Sequence, residues 1–537
     1  MAPDVESALT ADRSLRWRRA VGRLFEAGLI GATLVGVVAL GVLFALIGTD
    51  AIGPFAAEPA WYLVLVATLV VPLTAYTLYA RRHPAIARVN ALAFVVVVGS
   101  LAATLALYVV AMAFEPATIA VVVVATTLPP AVVFAYDRAT GGGQLTGPAM
   151  TVATVVGAIL GLALAGPLGE TLAVLATWVL FVPVVTVPAA AGIGAVAVRR
   201  FDRRAGSIAA VAVLGATGLT VGAAFALGVD PGLAVVLVGG AGGPIGLFAA
   251  DTLVHRREGR VGLLGPILFA GGLAGTVFVE RAVGLTGPDT WLTPTLLLES
   301  WSTTSPEQAG IYPQLVGSIV IIAVMTVLAF PVGVGAAIFL EEYAPSAGPI
   351  GVLASVLDVN ISNLAGVPSV VYGLLGLAVF RNVFGLPNGL VIAAAATLGL
   401  LVLPIVIVSA QEALRSVPDE FRQGAFGLGA SRWQTVRNVV LPEALPGILT
   451  GTILALGRAI GETAPLVMIG VATTAYTPPS GLFDQASALP LQIFAAKANA
   501  IPAYRTGVVA ATALVLLGLM LLMNGIAIVL RNRYQRD

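Results

Sequence analysis

The chain contains no cysteine, only two histidines and one lysine, and its charged residues make up just 10% of its length. Without cysteine there are no disulfides, thiolate nucleophiles or cysteine metal sites. His83 and His255 each sit inside an arginine cluster at the end of an apolar run, so a histidine-built metal centre is not expected. The lone lysine, Lys497, lies in Ala-Lys-Ala and not in GxxxxGK[ST], so there is no phosphate-binding loop for ATP. The energy for any pumped transport must then come from a partner or an ion gradient. No HExxH motif and no mid-membrane acid pair is present, which removes the usual grounds for an enzyme. The 28 basic and 27 acidic residues nearly cancel, leaving no global field to recruit nucleic acid. An ordinary cytosolic domain carries about 25% charged residues. With 58% apolar residues and a mean hydropathy of +0.99 over 537 residues, a soluble globule is excluded and an all-α polytopic membrane protein is predicted.

Spanning a hydrocarbon core takes about 20 mostly apolar residues. Fourteen stretches qualify: Gly22 to Gly48, Ala60 to Ala80, Ala91 to Phe114, Ile119 to Tyr136, Met150 to Ala165, Thr171 to Val198, Ser207 to Gly228, Pro231 to Ala250, Val261 to Gly284, Tyr312 to Leu340, Ile350 to Phe380, Gly389 to Ala410, Pro446 to Ala472 and Thr506 to Leu530. An inside amino terminus and an even number of spans place both termini in the cytoplasm. Arginine distribution tests this independently of hydropathy. Of the 28 basic residues, 23 fall in predicted inside segments, four (Arg281, Arg381, Lys497, Arg505) fall outside, and Arg458 alone lies within a span. The Arg-rich amino terminus leads into a span-length run without a convincing cleavage site, so it reads as a topological anchor and not a secretory signal.

An ionisable residue inside a membrane is costly and marks function by default. Counted from Pro446, Arg458 lies about 18 Å along its helix, near the midplane. Glu462, four residues on, shares its face and can pair with it. Pro465 cannot donate to the Gly461 carbonyl and is expected to bend the helix. Gly457, Gly461 and Thr463 keep the surrounding turn small. A guanidinium with a neighbouring acid suits an oxyanion that can compete for its planar donor fork, although a structural salt bridge would use the same residues.

The inside loop between Gln411 and Pro446 is far more polar than its surroundings and reads as two short helices. Pro418, Asp419 and Glu420 mark the first start. Phe421, Ala425 and Leu428 recur at i, i+4 and i+7 as one apolar face, and Gly429 ends the helix. Ser431 with Gln434 forms a capping box that starts the second, and Pro442 and Pro446 close the segment. A cytoplasmic helix pair with an unpartnered stripe points to docking of a soluble protein, or to a helix lying on the membrane.

At these two segments the chain resembles a known family. Gln423, Gly424, Ala425, Gly429, Val439, Leu441 and Pro442 keep the spacing of the EAA loop of ABC-importer permeases, with Gln423 and Gly424 in place of the usual glutamate and first alanine. Gly457-Arg458-Ala459-Ile460-Gly461-Glu462-Thr463-Ala464-Pro465-Leu466 resembles the signature of phosphate-importer permeases of the PstA type. Gly310 to Pro313, Leu340 to Tyr343, Gly366 to Gly373 and Leu489 to Phe494 add similarity in family order, over roughly residues 255 to 537.

The resemblance implies a six-helix type I ABC-importer permease core over 255–537, preceded by a membrane region of about eight helices over 1–254 with no recognised site. It implies a permease subunit of an ATP-driven phosphate importer, itself without cofactor, working with a companion permease of the PstC type, two ATPase subunits that bind the ATP, an extracytoplasmic phosphate-binding protein and membrane lipids, and with no nucleic acid. Arg458, Glu462 and Thr463 would then line the phosphate pathway, and the loop would seat in the ATPase. A permease for sulfate or molybdate is the nearest alternative. An ion-coupled carrier is disfavoured because no second half matches the Arg458 helix. The outside segment from Leu285 to Gly310, with Trp291 and Trp301, offers a landing place for the binding protein, while Glu341 and Glu342 read as solvated acids at a helix end.

Overall fold

A computed structural model describes residues 4–113, 116–140, 146–227, 231–345 and 347–534. Among the described residues the chain is all-α, with isolated bridges only at Leu390/Gln485 and Ala472/Ser487. Twelve helices among the described residues are long and apolar enough to cross a membrane, and two bent pairs, Val152–Gly161 with Ala163–Leu172 (57°) and Gly348–Leu364 with Ser369–Val383 (112°), bring the number to fourteen if each pair is one span.

Loops that the arginine count groups together meet in several places. Among the arginine-rich loops Arg200 and Arg256 reach Asp251, and Arg415 and Arg422 reach Glu341 and Glu342. Among the arginine-poor ones, Ser300 Oγ donates to the Tyr476 carbonyl (2.6 Å), Tyr504 Oη donates to the Ser302 carbonyl (2.5 Å), and Gln314 Nε2 donates to the Ala475 carbonyl (3.0 Å).

Besides the helix through Arg458, two spans differ from the expected ones. The stretch from Ile350 to Phe380 is two helices meeting at 112°, not one, because the turn at Ala365–Pro368 includes a proline without an N–H. The helix expected from Thr171 begins at Thr177, since the preceding helix runs on to Leu172 through Pro167.

In lipid, helices associate by close packing and polar contacts, not by hiding apolar area from water. The most enclosed span is Val391–Arg415, 67% of whose most apolar window is buried. It packs against Tyr312–Ile338 and Leu441–Ile460 around Ile321, Met325, Leu398 and Leu489. The first helix, Asp4–Ile52, has no buried residue in its corresponding window and touches the molecule along Tyr504–Val508 and Val509–Tyr534, with Ala51 entering the central core. Helix Leu264–Val283 packs instead on the region 59–113, where Gly272 abuts Leu69 and the hydroxyls of Thr68 and Thr276 lie 2.8 Å apart.

These contacts group the helices in an order the chain does not follow. The ends of the segment 54–290 meet: Glu58 N–H donates to the Thr286 carbonyl (3.0 Å), Trp61 Nε1 to Glu280 Oε2 (2.8 Å), and Trp291 N–H to the Ala51 carbonyl (2.8 Å). Gly53 makes the closure possible. Its φ is +58°, and a Cβ there would lie 2.5 Å from the Asp289 carbonyl oxygen.

Candidate functional site

The continuous helix through the arginine runs from Arg432 to Ile460, beginning well before Pro446, so a count from that proline does not fix the depth of Arg458. Arg458 stands two residues from the helix end. The helix stops at Gly461 and Pro465 does not kink it; Pro465 opens a separate short helix, Ala464–Met468, in whose first turn its missing N–H costs nothing. Between the two helices, Glu462 and Thr463 occupy a non-helical link. Thr463 caps the short helix through its carbonyl, which accepts from Val467 N–H (3.0 Å).

Arg458 Nε and Glu462 Oε1 are 3.4 Å apart, with side chains 48% and 17% exposed. The pair therefore sits at the surface of the single chain. Its backbone neighbours are fixed from behind: Ala459, Ile460, Pro465 and Leu466 are buried, against Ser318, Ile321 and Leu398. A second break supports the first. Gly373, in Ser369–Gly376, lies so close to Pro465 and Met468 that a Cβ would fall 2.7 Å from either. The two interrupted spans are thus packed break to break. Sequence reasoning missed Asn524, whose Oδ1 would lie 3.6 Å from a Cβ on Gly457. A lone amide in the run Met-Leu-Leu-Met-Asn was the available signal.

The loop has one free-standing helix, Asp419–Gly427, starting after Pro418 with two acids in its first turn. Gly429 (φ +83°) terminates it as the sequence requires, with Ala430 N–H donating to the Ala425 carbonyl. The capping box is present in both halves: Ser431 Oγ accepts from Gln434 N–H and Gln434 Oε1 from Ser431 N–H. The helix it opens is no separate element, however. It continues through a π turn at Val436–Val440 into the span, and Pro442 and Pro446 lie inside this helix and do not close the loop. The π turn ends just before Leu441-Pro442, and a widened turn relieves the clash and lost bond a proline imposes on an α-helix.

Phe421, Gly424, Ala425, Leu428 and Gly429 line a shallow groove of 680 Å³, and Gln423 is exposed beside it. Phe421 is 52% and Leu428 92% exposed, so the stripe has no partner within this chain among the described residues. What holds the helix in place is Arg422. It donates to Glu342 Oε1 (2.8 Å), to Asp419 Oδ1 (3.1 Å) and to the carbonyls of Val417 (2.6 Å) and Leu414 (2.9 Å). Arg415 Nε donates to Glu341 Oε2 (2.9 Å), and Gln411 Nε2 to Asp358 Oδ1 (2.8 Å). Glu341 and Glu342 are therefore not solvated acids. They anchor the loop to the end of span Tyr312–Tyr343, with Glu342 buried. The expected landing residues are likewise internal: Trp301 is buried against Tyr504, and the Trp291 indole leaves no room for a side chain at Gly507.

Residues 329–536 match the profile of the binding-protein-dependent transport system inner membrane component family. The chain is 35% identical over 214 residues to the phosphate transport system permease protein PstA 1 of Mycobacterium tuberculosis, covering 37% of this chain and 68% of that one. It is 34% identical over 237 residues to the probable ABC transporter permease protein YqgH of Bacillus subtilis (42% and 72%), and 28% identical to the phosphate transport system permease protein PstC of Mesorhizobium japonicum over 41% and 72%. The matched stretch holds both helix breaks, the anchored loop helix and the capping box, and the chain belongs to the binding-protein-dependent transport permeases, the membrane components of ABC transporters, and is of the PstA type.

Proposed function

We propose that this permease carries inorganic phosphate across the membrane in an ATP-driven importer, together with a companion permease of the PstC kind, two ATPase subunits and an extracytoplasmic phosphate-binding protein. The observation that carries this reading is the Arg458–Glu462 pair, held at a helix break yet exposed on the single chain, where a companion subunit would complete a pathway around it. A guanidinium matches two oxygens of a tetrahedral oxyanion at once, and the Thr463 hydroxyl can donate to a third. Glu462 competes for the same guanidinium when the site is empty and repels the anion when it is full, so phosphate is passed on and not trapped.

The helix Asp419–Gly427 is the proposed coupling element, its Phe421–Ala425–Leu428 stripe seating on the ATPase. Closure of the ATPase would move Arg422 and, through Glu342, the span Tyr312–Tyr343. The working core in this reading is the first helix, Asp4–Ile52, together with 291–534. The eight spans of 54–290 are an insertion whose ends meet at Gly53 and Asp289, and an even number of spans returns the chain to the side it left. Vesicles carrying the assembled complex test the site. Arg458→Ala and Glu462→Ala should each lower phosphate uptake by tenfold or more with assembly intact, and uptake unchanged in both would refute the assignment.

A further inference from the structure

The inserted region carries a groove that nothing in the transport reading uses. It lies between Val187–Arg200, Arg203–Leu227 and the two-part helix Val238–His255, encloses 530 Å³, and every side chain lining it is apolar. The lining runs from Phe201, Ala205 and Ala250 at the arginine-rich end to Ala216 and Val238. From Ala205 to Ala216 is eleven residues of helix, about 17 Å, which is close to half of a hydrocarbon core roughly 30 Å thick. The groove therefore reaches from the cytoplasmic surface to about the bilayer centre, the depth of a single leaflet.

Its mouth is basic. Arg199, Arg200, Arg203, Arg204 and Arg256 face two acids, Asp202 and Asp251, leaving a surplus of three positive charges. Asp251 is largely enclosed and is shared by Arg200 (3.8 Å), Arg256 (3.4 Å) and His255 (3.2 Å). The carboxylate thus organises the cluster without neutralising it. Asp202 is turned to its own helix, its Oδ1 accepting from Ala205 N–H (2.6 Å). The His255 ring lies on Phe201 (5.0 Å between centroids), joining this mouth to a polar pocket of 610 Å³ lined by Arg88, Arg256 and Arg257.

A slot as deep as one leaflet, apolar throughout and ending under an arginine surplus, has the two halves of an anionic phospholipid. The geometry points to a binding site for such a lipid, drawn from the cytoplasmic leaflet, with one acyl chain along Ala205–Ala216 and the headgroup phosphate on Arg200, Arg203 and Arg204. A zwitterionic lipid would fill the groove but bring a choline cation to the mouth along with its phosphate, leaving the arginine surplus unmatched, and free phosphate would match the mouth but not the groove. Another transmembrane helix packed on the small residues of the slot would satisfy neither the depth limit nor the charge.

The test uses the full chain in its membrane complex, purified in mild detergent and returned to nanodiscs of phosphatidylglycerol or phosphatidylcholine. Retained lipid is read by native mass spectrometry, and competition between the two lipids gives the preference. Each surface arginine contributes about fivefold to the attraction of anionic lipid, so a phosphatidylglycerol preference on the order of a hundredfold is expected. In Arg200→Gln/Arg203→Gln/Arg204→Gln that preference should fall to near unity while acyl-chain retention persists. In Ala212→Phe, which blocks the slot, retention itself should be lost. Inorganic phosphate at the same concentration should not displace the lipid. Equal retention of the two lipids by the native chain, an undiminished preference in the triple variant, displacement by free phosphate, or a protein helix found seated in the groove would each overturn the proposal.

Discussion

Arg422 offers the sharpest perturbation, because it ties the loop helix at once to Glu342 and to the Leu414 and Val417 carbonyls. It is 17% exposed and its partner Glu342 11%. Arg422→Ala removes the ion pair, the hydrogen bond to Asp419 and the bonds to the Leu414 carbonyl, in the last turn of the Val391–Arg415 helix, and to the Val417 carbonyl just beyond it. Stripping one partner from a buried pair costs about 3–5 kcal/mol. Both groups here keep some contact with solvent, so the lower end, about 3 kcal/mol, applies. That corresponds to a roughly hundredfold rise in the local opening of the Asp419–Gly427 helix. Hydrogen exchange of the amides between 419 and 430 would read this opening directly, and transport would show ATP hydrolysis retained with phosphate uptake reduced. Glu342→Gln in the Arg422→Ala background should recover part of the loss, since the stranded acid is then gone. Exchange in Arg422→Ala equal to that of the native chain, or no recovery on adding Glu342→Gln, would refute the claim that this pair couples loop to span.

Three further outcomes follow from particular contacts. Gly53→Ala places a Cβ against the Asp289 carbonyl at positive φ, whereas Gly284→Ala meets only the backbone cost of its φ of +76° in open space. The second should lose about 1–2 kcal/mol of stability and the first clearly more, measured as melting temperature in detergent; equal losses would contradict the closure at Gly53. Leu428→Asp should leave melting within about 0.5 kcal/mol of the parent, because Leu428 is 92% exposed, yet abolish co-purification of the ATPase; intact co-purification would remove the stripe from the docking surface. Asp484 accepts from Ser480 Oγ and from the Ser480 and Gly481 backbone, and these bonds hold its carboxyl below the ordinary aspartate value of 3.8. Its contribution to the outer loop is therefore present at neutral pH and lost as pH falls through that depressed value. Limited proteolysis between 476 and 488 should rise only below about pH 4, and Asp484→Asn should show the raised cleavage already at pH 7.

The spans were legible because each is a long apolar run whose hydropathy stands out over about 20 residues. Local chemistry was legible too: Ser431 with Gln434 and the positive-φ Gly429 act within a few residues of themselves. The helix breaks were less so. A window of about 20 residues averages across Ala365–Pro368, and at Pro465 a helix start and a helix kink have the same sequence signal. The roles of Glu341 and Glu342 depend on Arg415 and Arg422, more than 70 residues away, and no local pattern announces them. The grouping of the first helix with the last is hidden for a related reason. Chain order suggests a boundary near residue 254, while the contacts place helix Leu264–Val283 with the spans before it.

What the assembled complex moves is the most direct measure of the proposed phosphate transport. Labelled phosphate uptake into vesicles containing this permease with its companion permease, ATPase and binding protein should require ATP and resist excess sulfate and molybdate. It should also fall by tenfold or more in Arg458→Ala. A complex that assembles but shows no ATP-dependent phosphate uptake, or one whose uptake sulfate or molybdate competes away, would contradict phosphate as the transported ion.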